Sequence, residues 1–108
     1  MEVSAQEVKR RIDAGEKLHL IDVREPHEYA QARIDGGELI PMRSVPAQLQ
    51  NLDARADDGM LIVYCHHGVR SLNVVSWLRE QGIEACQSMV GGIDAWSLTV
   101  DGTVPRYT

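Results

Sequence analysis

Long hydrophobic stretches are missing from this sequence. The longest uninterrupted apolar run is Met60–Cys65, far short of the roughly 20 residues a membrane helix needs. An excess of positive charge is missing too: 11 Lys and Arg stand against 16 Asp and Glu, a formal net charge of −5. Nucleic acids and anionic membranes select the opposite sign, so neither is expected as a partner. Any anionic substrate then needs a local positive site working against the global sign. Cysteine is scarce, and Cys65 and Cys86 alone make no disulfide framework. The opening Met1–Glu7 is polar and acidic, with neither a signal-peptide apolar region nor a lipidation motif. A reducing cytoplasm is the expected location, and cysteine chemistry there is more often catalytic or redox than structural. What remains is an ordinary globular balance: 108 residues, 44% hydrophobic and 25% charged, enough for one domain and too apolar for disorder. There is no internal repeat.

Local patterns place the elements. Ser4-Ala5-Gln6-Glu7 reads as a capping box, and Ala5, Val8 and Ile12 share the face of the helix it opens. Gly15 stops that helix. Leu18–Val23 reads as a buried strand ended by Pro26, with a helical turn or two over Glu28–Ala32. Gly36-Gly37 turns the chain into a short strand, Glu38–Ile40. Pro46 starts a helix carrying Leu49 and Leu52, and Asp57-Asp58-Gly59 is a turn. Leu61–Tyr64 does not alternate, as in a strand covered on both faces of a parallel sheet. A polar connection follows, then a helix over Ser71–Gln81 with Leu72, Val75 and Leu78 on one face. Glu84–Met89 is a further strand, Gly91-Gly92 a turn, and Ile93–Leu98 a helix. These make a single domain over residues 1–100. Asp101–Thr108 is a tail that either packs back or frays. Strands alternating with helices imply a mostly parallel sheet of about five strands with helices on both faces. Ligands of such sheets sit beyond the carboxyl ends of the strands.

Of the loops at that end, Cys65-His66-His67-Gly68-Val69-Arg70-Ser71 carries the richest chemistry. A cysteine directly after a buried strand and directly before a helix meets N–H groups that have no partner within the helix. Gly68 lets the backbone curl so that they converge on the sulfur. The helix N-terminus and Arg70 add positive charge. Together these favour a reactive thiolate, and the same concave set of donors suits an oxyanion. An isolated cysteine at a strand end is more often a buried structural one, and its neighbours are what point Cys65 to function. His66 and His67 either add charge and orient a donor or are exposed loop residues. A zinc site on Cys65, His66 and His67 is discounted, because adjacent residues cannot supply three tetrahedral ligands. Asp22 and Arg24 end the first long strand on the ligand side: Arg24 adds positive field for a substrate, and Asp22 is a structural partner of an arginine. Glu28 caps or pairs locally. Gly91-Gly92 and Trp96 serve turn and packing. His19 and His27 satisfy local hydrogen bonds. Cys86 is either a buried strand residue or a resolving thiol, the latter only with Cα atoms within about 7 Å.

Four segments in order carry a resemblance that spans nearly the whole chain: Leu20–Tyr29, Ile40-Pro41, Cys65–Ser71 and Gly91–Trp96. In these the sequence resembles the rhodanese-like domain, and specifically its small single-domain thiosulfate sulfurtransferases. Related phosphatases and arsenate reductases share the scaffold, but with five residues between Cys and Arg. Here there are four, His66, His67, Gly68 and Val69, and in the family the tighter loop accompanies sulfur transfer. The resemblance implies a three-layer α/β sandwich and no cofactor. It implies that Cys65 carries a persulfide taken from thiosulfate or another persulfide donor and passed to cyanide or a thiol. Arg70 joins Cys65 in catalysis, with His66, His67, Gly68, Val69, Ser71 and Arg24 contacting the donor. A sulfur-relay protein is a possible partner, and a sulfur carrier fed by a desulfurase is the alternative. Ala32-Arg33-Ile34 and Asp35 depart from the Gly-His-Ile and Pro common in the family, away from the nucleophile.

Overall fold

The strand around Leu61–Tyr64 lacks alternation because both of its faces are covered, as the computed structural model, describing residues 1–108, makes visible. The chain runs β1 (Glu2–Val3), α1 (Ala5–Asp13), β2 (Leu18–Asp22), α2 (Pro26–Gln31), β3 (Glu38–Leu39), 3-10 turns at Met42–Ser44 and Pro46–Gln48, α3 (Leu49–Asp58), β4 (Met60–Tyr64), α4 (Val69–Glu80), β5 (Cys86–Met89) and α5 (Gly92–Thr99). The five strands form one parallel sheet in the order β1-β5-β4-β2-β3. Leu61, Val63 and Cys65 enter a core with Leu52 of α3 and Val75 and Leu78 of α4. Ile62 and Tyr64 enter a second core with Val8 of α1 and Ile93 and Trp96 of α5. Burying each aliphatic side chain of β4 stabilises the fold by about 1.5–3 kcal/mol, so this strand anchors both layers. No helix is long and apolar enough to cross a membrane.

The expected three-layer α/β architecture is present, with local differences. β1 has only two residues, too few for a periodic signal, yet it pairs with β5 at the sheet edge. α4 begins at Val69 rather than Ser71, because Gly68, at φ 103°, is its left-handed N-cap. Its core face is therefore Ser71, Val74, Val75 and Leu78, with Leu72 only half-buried. α3 continues through Asp58, so the chain turns at Gly59. The segment after α5 packs back: Val104 joins the second core with Trp96.

Topology then fixes where chemistry can sit. From β2 the chain moves outward to β3, and from β4 it moves the other way to β5, so the strand order reverses between β2 and β4. Parallel sheets open a crevice at such a reversal, beyond the carboxyl ends of the strands. Asp22 and Tyr64 are register partners there, which brings Arg24 and Cys65 to the same end of the sheet.

Candidate active site

Cys65 follows the last residue of β4 and is 1% exposed. Its Sγ accepts the N–H of Gly68 at 3.1 Å and of Ser71 at 3.3 Å. The Ser71 hydroxyl lies 3.4 Å from Sγ and 2.7 Å from Ser88 Oγ on β5. The N–H groups of His66, His67, Val69 and Arg70 donate to no protein acceptor, so the loop keeps further donors that an added sulfur atom or an oxyanion can use. The curl depends on glycine at two places. Gly68 is left-handed, and a Cβ there would lie 3.1 Å from the Gly91 nitrogen. Gly92, also left-handed at φ +59°, lies directly under the loop, where a Cβ would press on the Cys65 carbonyl oxygen and come 2.5 Å from that of His66. Those two carbonyls accept the N–H groups of Ile93 (2.9 Å) and Asp94 (3.2 Å). The N-terminus of α5 therefore holds the outer side of the loop while its inner N–H groups turn to the sulfur.

Arg70 does not extend freely toward the sulfur. Its guanidinium forms a two-pronged pair with Glu28, Nη1–Oε1 2.7 Å and Nη2–Oε2 2.9 Å. This pairing holds the Glu28 carboxyl at about 2 and raises Arg70 above the usual arginine range, with the field of Cys65 adding to the effect. Glu28 also accepts the Glu25 N–H (3.1 Å) and the Tyr107 hydroxyl (2.8 Å). Sequence reading gave Glu28 only a local role, but its decisive partners lie 42 and 79 residues away.

Arg24 is the clear correction among the expected donor contacts. It is fully buried, and its guanidinium is spent on Asp22 (2.8 and 2.6 Å), the Ala32 carbonyl (2.7 Å) and the Tyr107 hydroxyl (2.9 Å). Burial disfavours its charge, and the Asp22 carboxylate and the Tyr107 hydroxyl together more than offset that. With no exposed surface it cannot touch a substrate, and the strand end carries its side chain inward instead. Asp22 is its structural partner, as expected. The other residues singled out in the loop stay together. His66 is stacked between His67 and Tyr107, with ring centroids 3.9 Å apart on each side. Burial and the neighbouring His67 lower the His66 pKa below the usual histidine value. His67 is exposed, and its Nδ1 lies 4.0 Å from Asp94. Val69 forms the rim at 71% exposure. Away from the loop, His19 pairs with Asp58. Cys86 pairs in register with Leu61. Cys65 is four residues farther along, about 13 Å at about 3.3 Å per residue, beyond disulfide reach.

Tyr107, Ser88 and the load on Gly92 were missed. Only an aromatic residue near the chain's end hinted at the first. Nothing in the local sequence marked the other two.

The model of the Rhodanese-like domain matches residues 4–99. This chain belongs to that family. Among rhodanese-like relatives, the Bacillus subtilis protein named "Putative sulfurtransferase YtwF" is 38% identical over 95 residues, 88% of each chain. "Thiosulfate sulfurtransferase GlpE" of Haemophilus influenzae is 56% identical over 36 residues, 33% of this chain and 34% of that protein. The chain thus matches only part of the length of some curated relatives, down to 15% of a chloroplast rhodanese-like/PpiC domain protein of Arabidopsis thaliana. In structure, a Rhodanese-like Domain Protein from Staphylococcus aureus superimposes with TM-score 0.79 at 28% identity, over the whole of both chains. The domain is therefore a rhodanese-like member of a sulfurtransferase family.

Proposed function

We propose that this rhodanese-like domain moves sulfane sulfur, from thiosulfate or another persulfide donor, through a persulfide on Cys65 to a thiol, or to cyanide in the assay. The observation that carries the reading is the convergence of the Gly68 and Ser71 N–H groups on Cys65 Sγ, at 3.1 and 3.3 Å, inside a loop with four residues between Cys65 and Arg70. Cys65 attacks the outer sulfur of the donor. The donor's S–S bond breaks, its electron pair leaves with sulfite or a thiolate, and a new S–S bond forms on Sγ. The acceptor attacks that outer sulfur and regenerates the cysteine, giving two displacements and ping-pong kinetics. The free loop N–H groups hold the outer sulfur and its charge in place without rearranging. The Ser71 hydroxyl can rotate to donate to the sulfur while accepting from Ser88.

Steady-state rates with thiosulfate and a dithiol, each varied against the other, test the reading. Parallel double-reciprocal lines for the wild type and loss of turnover in Cys65→Ser are expected. Intersecting lines, or turnover that survives in Cys65→Ser, would overturn it. A carrier fed by a desulfurase is favoured by one observation, the engagement of Arg70 by Glu28. In that case a protein persulfide outperforms thiosulfate.

A further inference from the structure

Three charged pairs surround the loop, and each is closed on itself. Arg24 is paired with Asp22, Arg106 with Asp94, and Arg70 with Glu28. Of the two loop histidines, His66 has its charged form disfavoured by burial and by His67, and His67 lies exposed with its Nδ1 4.0 Å from the Asp94 carboxylate. The local charge is therefore close to balanced, in a chain whose formal net charge is −5. An incoming dianion meets no unpaired arginine. To take the two-pronged Nη1–Nη2 edge of Arg70 it has to displace a carboxylate held by four hydrogen bonds: two from Arg70, one from the Glu25 N–H and one from the Tyr107 hydroxyl. Tyr107 is itself tied to the buried Arg24, so the latch is fastened to the interior of the domain. The rim beside it is apolar at Val69.

Resting on the sulfur-transfer reading above, we propose that Glu28 is a specificity-determining residue. By occupying Arg70 it turns Cys65 away from dianionic thiosulfate and toward persulfide donors whose leaving group is uncharged apart from the departing thiolate. The transfer is balanced in either case. The Cys65 thiolate and R–S–SH give Cys65–S–SH and R–S⁻, one S–S bond broken and one formed, with no external oxidant or reductant.

The experiment is the rate of sulfur loading onto Cys65, read by rapid-quench intact mass on the full chain. The donors are thiosulfate and 2-hydroxyethyl persulfide, and the proteins are wild type, Glu28→Gln and Tyr107→Phe. Glu28→Gln keeps the size of the side chain and an acceptor oxygen while freeing the charge on Arg70. Charge-assisted pairing of that arginine with an oxyanion predicts about tenfold or greater improvement in half-saturation for thiosulfate. Loading from the alkyl persulfide, which carries at most one negative charge and no oxyanion, stays within about twofold. Tyr107→Phe, which removes one of the latch's hydrogen bonds, shifts thiosulfate the same way by a smaller factor. In the wild type the alkyl persulfide is the faster at equal concentration. A merely structural Glu28 would depress both donors together, and that result overturns the proposal, as does a wild-type preference for thiosulfate. Should Glu28→Gln fail to fold, Tyr107→Phe decides on the same split between donors. Absence of loading by either donor in every protein overturns the underlying transfer reading as well, which separates the two failures.

Discussion

Replacing Gly92 by alanine should damage the site more than any other small-residue change. Two costs add. The residue sits at φ +59°, where an L-residue pays about 1–2 kcal/mol. Its new Cβ would come 2.5 Å from the His66 carbonyl oxygen and 2.6 Å from that carbonyl's carbon, backbone that must move, and overpacking of this kind costs about 1–3 kcal/mol. The sum is about 2–5 kcal/mol, or a fall in Tm of roughly 10–30 °C for a domain of this size. Two other glycines separate the contributions. Gly82→Ala carries the left-handed φ, +97°, with nothing within 4 Å, and Gly102→Ala carries neither burden. They should lose about 1–2 kcal/mol and less than about 0.5 kcal/mol respectively. Urea titration followed by the fluorescence of Trp77 and Trp96 gives each value. Sulfur loading should fall steeply in Gly92→Ala alone, because the displaced carbonyls belong to Cys65 and its neighbour. A Gly92→Ala variant no less stable than Gly82→Ala, or one that loads sulfur at the wild-type rate, would refute this role of Gly92.

Other outcomes follow from the same geometry. Asp22→Asn removes the partner of a fully buried guanidinium and should cost about 3–5 kcal/mol, measured by urea unfolding. Glu28, with its carboxyl held at about 2 by Arg70, contributes stability that is fully present above about pH 4.5 and is lost as pH falls toward 2. The shift corresponds to about 3 kcal/mol, reduced to roughly 1–2 kcal/mol because the Arg70 side chain is 35% exposed. Wild type and Glu28→Gln should therefore converge in stability across that acid window, as urea unfolding at stepped pH would show. Cys86→Ala should retain sulfur loading while losing stability as a small core truncation, because Cys86 is buried on β5 and out of reach of Cys65; loss of loading with stability intact would contradict that placement.

The sequence disclosed those parts of the molecule whose causes are local. β4 announced itself by an unbroken apolar run, α1 by its Ser4–Glu7 cap, and the loop by placing a cysteine, a glycine and an arginine between a strand and a helix. Contacts made across the fold were invisible. Arg24 sits at the correct end of the sheet, but only the packed structure shows that its side chain turns inward to Asp22 and Ala32. Glu28 and Tyr107 are 79 residues apart, and no local pattern joins them. Gly91-Gly92 reads as a turn whether or not another backbone lies against it. Its second task, supporting the carbonyls of Cys65 and His66, depends on α5 starting beneath the end of β4. Ser88 looks like any strand residue until β5 is placed beside β4 and its hydroxyl meets Ser71. Arg70 was legible as a residue but not in its state, since sequence spacing supplies a charge and says nothing of what neutralises it.

The central claim is that Cys65 itself carries the sulfur in transit. Intact mass after incubation with a sulfane-sulfur donor tests it most directly, in the wild type and in Cys65→Ala. The wild type should gain one sulfur atom, removed by cyanide with release of one thiocyanate, and Cys65→Ala should gain none. An unchanged wild-type mass with both thiosulfate and an alkyl persulfide, or an equal gain in Cys65→Ala, would contradict it.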